Sequence, residues 1–155
     1  MEQTAEALLL ILEEVLPRLR TIQDHEAGVK SSEKWSKKEI LGHLIDSASN
    51  NQHKFVRTMQ VDDHLDFVGY AQDFWVSAQQ YQTASWESLI AFWEAYNRHL
   101  AHVIRQTPES ALEHTISING SQAFSLAFIM KDYVEHLKHH LKQILPNSSM
   151  FDQYG

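Results

Sequence analysis

The sequence contains no cysteine. Disulfides, thiolate zinc sites and a protein-borne thiol nucleophile are therefore excluded, leaving His, Asp and Glu as the strong metal ligands. Any reactive thiol has to come from outside. Apolar runs of the roughly 18 residues that a bilayer-spanning helix needs are also missing, so no membrane association is expected. The amino-terminal stretch has no basic head and carries Glu2 and Glu6, with Glu13 and Glu14 soon after, which argues against a secretory signal. Cytoplasmic residence is the expectation. Positive charge is in the minority, with 13 Lys and Arg against 20 Asp and Glu and a net charge of -7. A phosphate backbone would be repelled, so nucleic acid is not an expected partner. Internal repeats and low-complexity tracts are absent as well.

What is present fits one globular unit. The 155 residues, 43% apolar and 21% charged, suffice for one continuous core and are few for two, so a single domain over residues 1–155 is expected. Ten histidines, scattered from His25 to His140, are a high load for such a chain.

Residues 3–24 place Leu8, Leu12, Val15, Leu19 and Ile22 at steps of three and four, predicting a first amphipathic helix. Pro17 cannot donate to the carbonyl four residues back, so a kink or break is expected near Glu13 to Leu16. Residues 24–35, with Gly28 and the Ser31-Ser32 pair, read as a loop. Ser36 and Glu39 match a capping box. A second helix is expected from Ser36 to about Gln60, with Ile40, Leu41, Leu44, Ala48, Phe55 and Met59 in register. Residues 61–84 are acidic and aromatic without a sustained period, and predict a long crossover containing short helical turns. A third helix is expected from about Ser85 until Pro108, with Leu89, Trp93, Tyr96, Leu100 and Val103 on one stripe. Residues 116–118 suit a short extended piece before the Asn119-Gly120 turn. The fourth helix is expected from about Gln122 to Leu145, ended by Pro146. The pattern is that of an all-α four-helix bundle.

On the fourth helix His136 and His140 are four apart, which leaves them about 40° apart on one face and able to reach one ion. His139 points elsewhere and is expected to be solvated or partner-facing; His99 and His102 of the third helix are expected to be surface or hydrogen-bonded histidines. A third ligand has to come from another helix at the same height. His43 lies seven residues into the second helix, and the His136/His140 pair lies about as far from the end of the fourth, each ~10 Å from its terminus. The three rings are level if these two helices run antiparallel, which requires an up-down-down-up bundle with a long crossover between the second and third helices. No Glu-x-x-His occurs, so a di-iron carboxylate site is not expected. Three histidines with open positions suit one divalent ion, zinc, nickel or ferrous iron. Asp46 and Asp132 are candidates to accept a ring N–H. Asn50 and Arg57 follow His43 at seven-residue steps and are candidates to line a pocket, the alternative being a solvated helix face. No catalytic residue is assigned.

Two segments carry a resemblance: residues 35–47, WSKKEILGHLIDS, and residues 132–144, DYVEHLKHHLKQI. Together with Asp73-Phe74-Trp75 and Tyr81, they make the chain similar over nearly its whole length to the DinB-like superfamily, in particular its YfiT-like branch, which includes bacillithiol transferases. The resemblance implies an up-down-down-up bundle with a three-His metal site matching His43, His136 and His140. It also implies bacterial origin, frequent homodimers and transfer of a low-molecular-weight thiol such as bacillithiol or mycothiol to an electrophile. Other members of the superfamily are taken to be metal-dependent hydrolases, so the alternatives to thiol transfer are hydrolysis and a non-catalytic stress-response module that keeps its metal for stability.

Overall fold

The computed structural model describes residues 1–31 and 34–146. Its helices are α1 (Glu2–Leu19), α2 (Asp24–Ala27), α3 (Lys37–Gln60), α4 (Gln72–Ala78), α5 (Trp86–Gln106) and α6 (Leu126–Ile144), with short 3-10 turns at Tyr81–Thr83 and Glu109–Ala111. Three short strands, β1 (His64–Phe67), β2 (Thr115–Ile118) and β3 (Phe124–Ser125), complete it.

The long helices α1, α3, α5 and α6 form the bundle. Helix α1 packs on α5 and α6, and α3 packs on the same two from the other side. Their directions follow from side-chain pairings. At one end of the α1–α5 interface the Trp86 indole donates to the Leu19 carbonyl at 2.9 Å, and at the other Arg105 meets Glu2 at 2.7 Å, so these helices are antiparallel. Near the start of α3, Lys38 donates to the Ala84 carbonyl just before α5; further along both, Tyr96 donates to Gln52. Helices α3 and α5 are therefore parallel, which the 61–84 crossover makes possible. Early α3 meets late α6 through His43 and His140, so that pair is antiparallel. The order is up-down-down-up.

The apolar stripes face one another as the periodicity predicts. Leu8, Leu12, Val15 and Leu19 of α1, Leu41, Leu44 and Phe55 of α3, Trp93 and Leu100 of α5, and Met130, Leu137 and Leu141 of α6 are buried. Each such side chain contributes about 1.5–3 kcal/mol of transfer free energy. Helix starts are fixed by hydroxyls: the Ser36, Ser85 and Ser125 side chains accept from the backbone N–H groups of Glu39, Ser88 and Phe128, each worth ~1 kcal/mol. Among the described residues no helix is long and apolar enough to cross a membrane.

Several boundaries differ from expectation. Helix α1 ends at Leu19 rather than residue 24, and α2 occupies part of the 24–35 segment; Ser32, also in that segment, lies outside the described residues. The break at Glu13 to Leu16 does not occur, because Pro17 sits in the last turn and deprives only the carbonyl of solvent-facing Glu13 of its donor. Helix α6 starts at Leu126, not Gln122, because Phe124 and Ser125 pair with β2. β1 was not anticipated. It pairs in parallel with β2, His64 opposite Thr115 through Phe67 opposite Ile118, and the small sheet closes the bundle end where α3 stops and α6 starts. The His114 ring contacts the Thr58 carbonyl there at 3.1 Å.

Candidate metal centre

Early α3 and late α6 bring His43, His136 and His140 together. One ligand nitrogen from each lies within 4.8 Å of the other two. Ring centroids are 4.7 Å apart for His43 and His140, 5.5 Å for His43 and His136, and 4.5 Å for His136 and His140. His43 is fully buried, and among the described residues neither of its ring nitrogens has a hydrogen-bond partner; Nδ1 of His140 is orphaned in the same way. An unpaired buried nitrogen costs about 1–3 kcal/mol. A cation takes one nitrogen from each ring, so it would satisfy one of the two on His43 and has the orphaned nitrogen of His140 within reach.

Electrostatics keeps these rings neutral, the form that ligates. Burial, then the neighbouring His140 and His136, holds the His43 pKa down to about 3. Burial and the two adjacent histidines hold His140 down to about 4. Burial, His139 and Lys54 lower His136. The residues present thus fit a divalent ion, with lone pairs available and little competition from protons.

The supporting structure starts at the cap of α3. Glu39 accepts from the Ser36 N–H at 2.8 Å, and the Ser36 hydroxyl donates to Gln82, whose amide donates to the Gly28 carbonyl at 2.6 Å. The Trp35 ring lies 5.0 Å from that of His43 and covers it. Behind His43, the Tyr81 ring presses on α3 where a Cβ at Gly42 would lie only 2.1 Å from ring carbon Cδ2. The Tyr81 hydroxyl donates to Asp46 Oδ1 at 2.6 Å, and Gln79 donates to the same oxygen at 2.7 Å. Burial pushes the Asp46 carboxyl up, opposed by these hydrogen bonds.

The other sequence candidates are placed as follows. Asp46 engages Tyr81 and Gln79 rather than a histidine ring, and its Oδ2 has no partner among the described residues. Asn50 donates to the Asp46 carbonyl within its own helix at 2.9 Å. Arg57 is exposed, its guanidinium 5.4 Å from the centroid of the Phe67 ring. Asp132 is exposed and borders a cavity of about 140 Å³ shared with His136. From α3 that cavity is lined by Ser47, Asn51 and Lys54, with Tyr70 and Gln72 from the crossover. Sequence reading did not single these out, nor Trp35 or Gln79. The signal for Tyr81 is Gly42, since a glycine inside a helix marks a close approach. His139, His99 and His102 are exposed.

A Ser, His and Asp group also meets on the sheet, but Ser117 donates directly to Asp66, and Asp66 and Ser117 both approach the same His64 nitrogen, Nε2. A nucleophilic triad needs base and orienting acid on opposite ring nitrogens.

Among curated proteins, none matches the chain in sequence. Among solved structures, YfiT from Bacillus subtilis, described as a probable metal-dependent hydrolase with an unusual four-helix bundle topology, aligns with a TM-score of 0.79 and 18% identity over 94% of this chain and 86% of that one. A mycothiol-dependent maleylpyruvate isomerase aligns with a TM-score of 0.74 and 15% identity over 90% of this chain and 58% of its own, so this chain spans little more than half its length. At such identities the likeness is one of fold. A sequence profile described as that of the DinB superfamily matches residues 7–144, nearly the whole bundle. The chain belongs to the DinB superfamily.

Proposed function

We propose that the chain is a metal-dependent enzyme that transfers a low-molecular-weight thiol, of the bacillithiol or mycothiol kind, to an electrophilic small molecule. The observation that carries this reading is the convergence of three imidazole nitrogens within 4.8 Å, with buried ring nitrogens that nothing among the described residues satisfies. His43, His136 and His140 would hold a divalent ion, whether zinc, nickel or ferrous iron, and when bound it would supply the charge that lowers the pKa of a thiol or water toward neutrality. The chain's own part is to keep the three rings neutral and oriented. Trp35 shields His43 from water on one side, and the Tyr81–Asp46 contact fixes the turn of α3 that bears it. The absence of cysteine fits a reaction whose thiol arrives as substrate. A structural relative that is mycothiol-dependent adds support. The same reading makes the partners a small thiol and an electrophile, and the protein a cytoplasmic homodimer.

The test is incubation of tag-free protein with bacillithiol and monochlorobimane, with and without each metal. A metal-dependent rate of conjugate formation is expected; a rate equal to that of metal-free protein contradicts transfer. The likeness to a probable metal-dependent hydrolase over 86% of that chain favours hydrolysis as a second reading. Metal-dependent cleavage of an ester or amide without added thiol would select it.

A further inference from the structure

We propose that the cavity beside His136 is a carboxylate subsite, with Lys54 supplying the positive charge, and that the substrate is a small molecule carrying a carboxylate a short distance from its reacting atom. This rests on the metal-centre reading above.

Lys54 is the feature that points to an anion. It is half-buried in the wall of the cavity, and among the described residues no hydrogen bond or ion pair engages its ammonium group. Its neighbours are the Phe67 ring, 5.7 Å away at the centroid, and the charge of Asp132. Burial lowers its pKa, as for a charge removed from water without full compensation. Lys54 and His136 line the same cavity, so the ammonium group and the proposed ligand face a common space.

Two residues with neutral hydroxyls line the same cavity. The Ser47 hydroxyl accepts from the Asn51 amide at 3.3 Å, which leaves its own proton uncommitted. The Tyr70 ring is held by Trp75 at 4.9 Å, and burial and the Asp46 charge push its pKa up to about 12, so its hydroxyl remains a donor. One cation and two neutral O–H groups suit an anion of charge minus one. Asp132 on the rim opposes a dianion, which argues for carboxylate over phosphate. The volume, about 140 Å³, equals that of four or five waters at ~30 Å³ each, suiting a carboxylate on a short stem.

The test uses cobalt-loaded protein and two thiol probes, 3-mercaptopropionate and uncharged 2-mercaptoethanol, with sulfur-to-cobalt charge-transfer absorption reporting binding. Wild-type protein is expected to prefer the carboxylate probe about tenfold or more, the worth of a charge-assisted hydrogen bond in a partly dry site. Lys54→Met should erase the preference while metal content and affinity for 2-mercaptoethanol stay unchanged, and Lys54→Arg should keep most of it. Equal affinities in the wild type, or a preference that survives in Lys54→Met, would overturn the subsite while leaving the metal centre intact. Displacement of 3-mercaptopropionate by inorganic phosphate more readily than by propionate would also overturn it, in favour of phosphate esters. Failure of the wild type to take up cobalt would instead remove the metal centre and, with it, a subsite defined from it.

Discussion

The Tyr81 hydroxyl donates a 2.6 Å hydrogen bond to Asp46, while its ring fills the space that a side chain at residue 42 would need. One crossover residue thus grips α3 at two consecutive turns, one residue before His43 and three after it. The segment that reverses the usual helix order also sets the position of the first candidate ligand.

Gly42→Ala measures that grip. Alanine raises intrinsic helix propensity by ~1 kcal/mol, but its Cβ would sit 2.1 Å from a ring carbon of Tyr81. Overpacking should win, with a net loss of about 1–3 kcal/mol in urea unfolding. Unchanged or increased stability would show that Tyr81 moves aside freely.

Tyr81→Phe keeps the ring and removes the donor. Asp46 would retain Gln79 as a partner but lose its shorter contact in a buried setting, costing roughly 1–2 kcal/mol. The Asp46 pKa should rise further, detectable by carboxyl NMR titration.

His43→Leu separates stability from metal binding. In metal-free protein it removes two buried nitrogens that have no partner among the described residues, at similar volume, so stability should rise by about 1 kcal/mol or more. Added metal, which stabilises the wild type by binding only the folded form, should leave the variant unaffected. A metal-free variant less stable than the wild type would mean that the nitrogens are satisfied.

Acid should destabilise the metal-free protein. The folded pKa values of His43 and His140 are about 3 and about 4, below the ~6.5 of an unfolded histidine. The unfolded chain therefore binds more protons in between, and stability present above pH 6.5 is lost as pH falls from ~6.5 toward 4. Asp46, with its raised pKa, acts in the opposite sense, but it is one group against the three lowered histidines. Urea midpoints at pH 7.5, 6 and 5 should decline in the wild type and decline less in His43→Leu.

Much of the fold was legible because its signals are local. The Ser36–Glu39 box and the leucine stripes locate the helices, and levelling His43 with His136 and His140 forces α3 and α6 antiparallel. β1 was not legible, since His64–Phe67 gains its conformation from β2, some fifty residues away in sequence. The cavity lining was missed through helix phase. At 100° per residue, Ser47, Asn51 and Lys54 lie about 40°, 80° and 20° to one side of His43, whereas Asn50 and Arg57 lie about 20° and 40° to the other. A seven-residue step follows the wrong side, and only the position of α6 decides between them.

X-ray absorption at the metal edge, on tag-free protein loaded with one equivalent of zinc, tests the central claim most directly. It should report three imidazole nitrogens at about 2.0–2.1 Å, and the bound ion should be lost in His43→Ala. A shell with fewer imidazoles, or the same spectrum from the His43→Ala protein, would contradict it.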